Sequence, residues 1–415
     1  MKKLYIYSVL FGSSLGYSSL YLFHFFVPFV VFLLGFGLYK NDYKINKDLS
    51  LLCLFYFLIL FSYFFSDYHT FYINYIFYTF LSLLVLVSLY FLTLKNYNFV
   101  LRIFIFFSFL QLFFGLVESF GILRLPFSPY SSYAHYFGKS NDYIDDWSLD
   151  IMDYNLSKPT GFSGNPNTFG FVALLFAPLL CFYPNKKIYK ILFSISFLVL
   201  FYKIDSKSLF FTYIFGFLLY YFLFEKIKVI LYMIPLFLLL PIVSFLNFDF
   251  DSNARIFSVF DEMSKGFNLL FSDSNNSDMD TSTGFRSYLY STGIKSFIET
   301  NGIGLGIGGI ESYLNKLFGQ HTAFHNFFLQ LLVDLGILGF LIFMLFYLKL
   351  IYRLWKGSFT VFEDLNHISK ILTVIVICGI FSSIAPSGIF YCLPFWAMLG
   401  FALGITHLKK NQGIL

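Results

Sequence analysis

Charge is what this sequence is short of. Asp, Glu, Lys and Arg together make up 12% of its 415 residues, about half the usual share in a soluble chain. A surface so poor in charge cannot be dressed for water, and a soluble globular domain is excluded. Cysteine is scarcer still. Cys53, Cys181, Cys378 and Cys392 each sit inside an apolar stretch, with no CxxC pair among them. That excludes a disulfide framework and a cysteine metal site, and leaves four small apolar side chains. Alternation of polar and apolar residues is lacking as well: Leu51–Phe65 and Leu81–Leu94 are apolar throughout. Strands of a membrane β-barrel would alternate. The net charge of +5 is no nucleic-acid signal in such a chain, where Lys and Arg report topology instead.

What is present is length of apolar run. Hydrophobic residues reach 58% and the mean hydropathy is +0.72. Runs of about 17–25 apolar residues recur from end to end, enough to cross ~30 Å of hydrocarbon as helix. Lipid admits only helices and closed barrels, because nothing else satisfies the backbone polar groups there. The fold class expected is therefore all-α, a polytopic integral membrane protein with about twelve spans. They are drawn at about 4–21, 23–39, 49–66, 71–94, 99–118, 168–183, 188–203, 208–224, 228–246, 324–350, 368–384 and 388–407. The small, polar stretch Gly12–Ser19 leaves open whether the first two are one bent helix. Phe (63 copies) and Tyr (32 copies) are spread through every span, which reads as lipid-facing bulk rather than as a stacking surface. Met1-Lys2-Lys3 before the first apolar run imitates a secretory leader, but no small-x-small cleavage site follows, and a retained first helix is expected.

Lys and Arg in the short loops fall on one side: Lys2 and Lys3, Lys40 to Lys47, Lys186 to Lys190, Lys349 to Lys356, Lys409 and Lys410. By the positive-inside rule both termini are expected in the cytoplasm. Two longer segments then lie outside. Residues 119–167 carry Asp142, Asp145, Asp146, Trp147, Asp150 and Asp153, and residues 247–323 carry a flexible-looking Ser/Asn/Asp tract at Ser272–Ser282. Within the second segment Phe285–Thr300 has a helical pattern through Leu289, Ile294, Phe297 and Ile298. No internal repeat and no separate soluble domain is visible, so 1–415 is read as one membrane domain.

The sharpest local pattern is at the exit of the second segment: His321-Thr-Ala-Phe-His325-Asn326, nine residues, Gly336, two residues, Gly339. A His–Asn pair stands where an outer loop enters a span, and the glycines below it let another helix approach closely. His325 titrates near neutral pH and can move protons; it can equally anchor the helix at the interface. Gly161-Phe-Ser-Gly164-Asn165-Pro166-Asn167 is a turn opening a helix, with Pro near its first position and Asn as cap. Gln111 and Glu118 share a helix face near the outer end of the fifth span. A carboxylate at that depth reads either as functional or as structural.

Three patterns are declined. Gly304-x-Gly306-x-x-Gly309 matches a dinucleotide fingerprint, but no strand precedes it. His321 and His325 have i,i+4 spacing suited to a metal, with no third ligand in view. Asn155-x-Ser157 and Asn275-x-Ser277 fit a glycosylation pattern too common to weigh.

Taken in order, these elements resemble the bacterial O-antigen polymerase and ligase superfamily. His325-Asn326 with the spaced Gly336 and Gly339 resembles its signature, with Asp334 where the family often has Glu. Gly164-Asn165-Pro166-Asn167 resembles its Gly-Asn-Pro-Asn turn. Asp205-Ser206-Lys207-Ser208 stands in the place of a Ser-Arg element, with Lys for Arg. Gly284-Phe285-Arg286-Ser287-Tyr288 resembles the arginine–aromatic start of an external amphipathic helix, and Gly302–Gly309 the glycine-rich turn after it. Recognisable elements cover roughly 160–340. The resemblance implies a glycosyltransferase in the bacterial cytoplasmic membrane that moves a glycan from undecaprenyl pyrophosphate at the outer face. It implies no cofactor, no metal and no nucleic acid; the lipid bilayer, the lipid-linked glycan, a chain-length regulator and a flippase are its partners. A lipid pyrophosphate leaving group needs cations, and Arg286 is the first candidate because a guanidinium grips phosphate in a fork. Lys207 and Arg255 follow, with Asn326 and Glu118 as further substrate-binding candidates, and His325 as base or positioner of the acceptor hydroxyl. A polymerase of surface polysaccharide, O-antigen or capsule, is expected ahead of a ligase acting on a lipopolysaccharide core. A flippase is the competing class; it would place its charges near mid-bilayer, where this chain has few.

Overall fold

The computed structural model describes residues 1–40, 47–139, 156–225, 282–359 and 363–411. The expected span at 228–246, Arg255, the acidic run from Asp142 to Asp153 and the Ser272–Thr281 tract lie outside them.

The regular secondary structure of the described residues is helical apart from one short hairpin. The helices are α1 (Lys2–Phe11), α2 (Leu22–Tyr39), α3 (Lys47–Phe61), α4 (Tyr72–Ser119), α5 (Pro166–Phe182), α6 (Lys187–Ile204), α7 (Lys207–Phe224), α8 (Ser282–Glu299), α9 (Gly309–Phe318), α10 (Phe327–Gly357), α11 (Glu363–Ser382) and α12 (Leu393–Asn411). Five of the described helices, α3 with its 3-10 extension, α4, α7, α10 and α11, are long and apolar enough to cross a membrane. At 48 residues, α4 is about 72 Å long at 1.5 Å per residue, more than twice the ~30 Å of hydrocarbon. It breaks at Asn96, whose backbone leaves the helical region (φ −161°, ψ 84°). The two halves correspond to the separate spans expected at 71–94 and 99–118.

Outward-facing side chains confirm the solvent. Leu338, Leu341, Leu345, Leu348, Tyr352 and Trp355 form an exposed stripe at helical spacing along α10, and Phe25, Phe29, Phe32 and Phe36 another along α2. In water such stripes would be aggregation surfaces; against acyl chains they are at home. The chain is a membrane protein.

One expectation is corrected at the N-terminus. The run drawn as a first span, 4–21, is a short helix that ends at Phe11, then a single 3-10 turn and a two-stranded hairpin pairing Gly16 with Tyr21 and Tyr17 with Leu20. Gly12 adopts φ +48°, a conformation glycine reaches without steric cost, and this ends the helix at the start of the small, polar stretch.

Close backbone approach holds the centre together. α12 packs most extensively on α4. Gly400 and Gly404 make this possible: a Cβ on Gly400 would run into the backbone of Leu86, and one on Gly404 would meet Thr93 at 2.6 Å. Small residues four apart serve helix pairs in lipid, where dispersion and close packing replace the hydrophobic drive. At the opposite end from the hairpin, Asp48 joins four helices. It pairs with Lys349 at 2.7 Å, with Arg353, and with His407 Nε2 at 2.9 Å, and His407 Nδ1 bonds the Tyr90 hydroxyl at 2.8 Å.

Candidate active site

α8, the glycine-rich turn, α9 and the entry to α10 form a small unit with an apolar cluster of its own, centred on Leu289, Leu305, Ile310, Leu314, Phe324 and Val333. Its construction explains the spacing seen in the sequence. α10 is broken at Gly336, which sits at φ 66°, ψ −172°, a region open essentially to glycine alone. The break exposes backbone groups, and the glycine-rich turn pairs with them: Leu305 N–H donates to Val333 O at 2.9 Å, Gly306 N–H to Asp334 O at 2.8 Å, and Ile337 N–H to Gly302 O at 3.0 Å. A Cβ on Gly304 would meet Gly336 N at 2.5 Å, and one on Gly336 would enter the carbonyls of Gly302 and Ile303. The expectation that Gly336 and Gly339 admit a neighbouring helix is thereby corrected. What reaches Gly336 is the backbone of a turn, and a Cβ on Gly339 would meet only Leu335 of its own helix.

Asp334 completes the joint. It is fully buried, and its carboxylate accepts the amides of Gly308 at 3.0 Å and Ile310 at 2.9 Å, the orphan donors at the N-terminus of α9. An acidic side chain there also suits the helix dipole. The turn is held from its other side too, since Ile307 N–H donates to Ser62 Oγ at 3.1 Å and Phe71 N–H to Ser312 Oγ at 3.2 Å. The Gly304-x-Gly306-x-x-Gly309 pattern is thus a backbone clasp following a helix.

This clasp sets the loop that carries the histidines. Asn326 is the N-cap of α10, its Oδ1 accepting Leu329 N–H at 3.1 Å. His325 precedes it in the left-handed region at φ 57°, which is uncommon for a non-glycine residue. Tyr290, one turn beyond Arg286 on α8, donates its hydroxyl to His325 O at 3.0 Å and fixes that conformation. Burial drives the His325 imidazole below its ordinary pKa, and the nearby Arg286 charge adds to the effect. Its Nδ1 is buried without a hydrogen-bond partner among the described residues, while the Ala385 and Pro386 carbonyls face the ring. Arg286 and His325, chosen from far-apart stretches of sequence, therefore lie within electrostatic reach of each other.

Sequence reasoning missed Glu311. It is buried (side chain 3% exposed) on α9, and it accepts His321 Nε2 at 3.1 Å and Phe324 N–H at 3.2 Å. That hydrogen bond raises the His321 pKa above its ordinary value, against the effect of burial. Glu311 reads in sequence as an ordinary first-turn acid of a short helix. Only the fold sets it between His321 and the His325 loop. Beside it Tyr75 bonds Gln330 Nε2 at 3.1 Å. Among the described residues no three His, Cys, Asp or Glu side chains converge so as to hold a metal ion.

Glu311 and His321 lie on the wall of a cavity of about 500 Å³ that reaches down to Gln111 on α4. Ala323 lines it on the histidine loop, and Ser387 and Gly388 line it next to the carbonyls facing His325. His325 stands just behind this wall. Asn165, the expected cap of α5, does cap it, accepting Thr168 N–H at 2.8 Å. Its Nδ2 reaches Ser387 Oγ at 3.3 Å and so ties α5 to the cavity rim.

Glu118 is occupied elsewhere. Its carboxylate, at the end of α4, accepts Leu125 N–H at 3.0 Å and the amides of Thr160 and Gly161 at 2.8 Å each, with Arg124 3.6 Å away. Arg124 in turn donates to Lys158 O at 2.8 Å and to Leu156 O. Glu118 thus holds the chain entering the Gly-Asn-Pro-Asn turn. Lys207 is exposed at the first position of α7, beside Asp205, which pairs with Lys158 at 3.6 Å; it is not among the residues lining the cavity.

Residues 191–344 match the family model described as O-antigen ligase. The match spans α6 to the upper half of α10, the stretch that holds Lys207, Arg286, the glycine clasp and the His325 loop, and it bears out the resemblance to the O-antigen polymerase and ligase superfamily. No curated protein matches the chain.

Proposed function

We propose that this membrane enzyme of the O-antigen polymerase and ligase type is a polymerase. It joins oligosaccharide repeat units carried on undecaprenyl pyrophosphate into a surface polysaccharide, O-antigen or capsule. In this reading about twelve spans put both termini in the cytoplasm, and α8, α9 and the histidine loop stand at the outer face of the bacterial cytoplasmic membrane.

The observation that carries the reading is that Arg286, from a distant stretch of sequence, lies near enough for its charge to act on the His325 imidazole, while the loop bearing that histidine lines a cavity floored by membrane helices. In the transfer an acceptor hydroxyl attacks the anomeric carbon of the donor glycan. The bond from that carbon to the pyrophosphate oxygen breaks, and undecaprenyl pyrophosphate leaves. Arg286 neutralises the charge that grows on the leaving group. His325, kept neutral by burial and by Arg286, is assigned as the acceptor of the hydroxyl proton. Asn326 sets the start of α10 and with it the position of the loop. Lys207, and Arg255 outside the described residues, are assigned to the pyrophosphate as further cations. Glu118, whose oxygens already serve backbone amides, keeps the entrance turn in place. The activated lipid donor supplies the driving force, so no cofactor enters.

Deletion of the gene in its host, complemented by wild type, His325→Ala or Arg286→Ala, tests the reading. A polymerase defect leaves single repeat units on the surface and removes the long-chain ladder. The family model's own description favours a ligase as the second reading. A ligase defect would instead leave long polymer on the lipid carrier with none attached at the surface. Wild-type ladders from both variants at normal protein level would refute the site and raise the flippase class.

A further inference from the structure

Arg286 is not among the residues that line the cavity. Among the described residues no lysine or arginine lines it, and the one carboxylate on its wall is Glu311. Glu311 pairs with His321 on the same wall, so an anion entering would meet no unpaired cation there. Beyond the Glu311–His321 pair the polar lining includes hydroxyl and amide groups such as Asn74 and Ser387, set among the rings of Tyr78 and Tyr391, which lie 4.9 Å apart between centroids. Tyrosine offers an apolar face with a hydrogen-bonding tip.

An independent observation concerns Gln111. This residue is 1% exposed on α4 and lines the cavity, yet its Oε1 has no hydrogen-bond partner among the described residues. A buried acceptor left without a donor is costly, and few native groups are left so without reason. A hydroxyl donated from inside the cavity would satisfy it. The volume of about 500 Å³ falls within the range of small-ligand sites.

We infer that this cavity is the subsite for the terminal sugars of the acceptor, and that it selects uncharged or amino sugars over anionic ones, with Gln111 receiving a sugar hydroxyl and Glu311–His321 closing the other end. Donor pyrophosphate and acceptor sugar are thereby held in electrostatically distinct places. The inference rests on the proposed transferase reading for the word acceptor, but the sugar-binding property stands on the cavity alone.

The test uses full-length protein in lipid nanodiscs. The probe is the repeat-unit oligosaccharide released from the host's own surface polysaccharide, with binding followed by saturation-transfer NMR and calorimetry. Saturable binding is expected, undisturbed by inorganic pyrophosphate. Gln111→Leu and the volume-conserving Gln111→Met are each expected to weaken it about five- to tenfold, the loss of one buried hydrogen bond. Displacement of the sugar by pyrophosphate would overturn the inference, as would unaltered binding in whichever Gln111 variant folds, or absence of binding to the wild type. None of those outcomes touches the ladder phenotype, which reads the transferase proposal separately. An intact ladder in the deletion strain, together with sugar binding that depends on Gln111, would sink the proposed function and leave the sugar site standing.

Discussion

The carboxylate of Asp334 accepts the backbone N–H of Ile310 at 2.9 Å, so a residue inside a membrane helix caps a helix that lies on the neighbouring loop. The same carboxylate takes Gly308 N–H. Asp334→Ala leaves two buried donors unsatisfied and is expected to cost about 2–6 kcal/mol, at about 1–3 for each stranded group. Asp334→Asn keeps one acceptor and should cost less. Thermal unfolding in detergent checks the order wild type, Asn, Ala; equal midpoints for all three would show the clasp to be unimportant.

Gly336 and Gly339 look equivalent in the spacing and are expected to behave oppositely. Gly336→Ala forces a Cβ into the Gly302 and Ile303 carbonyls at a left-handed φ, so the variant should fail to accumulate as folded protein. Gly339→Ala meets only Leu335 of its own helix and is expected within about 1–3 kcal/mol of wild type, the usual range for mild overpacking. Size-exclusion profiles of the two variants, expressed side by side, decide the matter.

The two histidines titrate with opposite signs. Burial and Arg286 lower the His325 pKa, so folding disfavours its protonated form. Its contribution to stability is present above the unfolded value near 6.5 and is lost as pH falls below it toward the folded pKa. The Glu311 hydrogen bond raises the His321 pKa; its contribution is complete below about 6.5 and disappears as pH rises through the folded value. With His325 as base, the acid limb of the kcat/KM profile should fall below pH 6.5. Glu311→Gln is expected to remove the alkaline loss of stability without moving that limb upward. Unfolding midpoints and rates measured across pH 5–8 test both statements, and an acid limb well above 6.5 would contradict them.

At the other end of the bundle, Asp48 balances Lys349, Arg353 and His407. Asp48→Ala strands these groups together and is expected to destabilise the protein by about 3–5 kcal/mol, as when one partner of a buried ion pair is removed. The cluster lies away from the histidine loop, so turnover per folded molecule should hold. A proportionate loss of turnover in the folded fraction would mean that the cluster is coupled to the site.

Gly400→Leu would wedge α12 from α4, since even a Cβ meets the Leu86 backbone. Loss of the folded state is expected, with limited proteolysis as the readout; protection equal to wild type would show that the helices can separate without cost.

The membrane class, the all-helical backbone and most helix positions are legible in the chain because they depend on run length and charge scarcity, which are local properties. The Asn165 cap and Pro166 at the helix start are legible for the same reason: caps involve neighbours three residues apart. The order of His325, Arg286 and the glycine turn was enough to find the family resemblance. What composition hid was every relationship made across the fold. The small, polar stretch Gly12–Ser19 left open only a bend between helices, yet Gly16–Tyr21 pairs as a hairpin. Gly336 seemed to seat a helix and instead receives a turn, because a broken helix must find partners for its freed backbone groups. Glu118 read equally as a ligand group or a structural one, and its oxygens accept the amides of Leu125, Thr160 and Gly161. Glu311 and the cavity that joins it to Gln111 emerge only when α4, α9 and the loops before α10 and α12 are brought together, since a cavity is a property of surfaces that no single segment possesses.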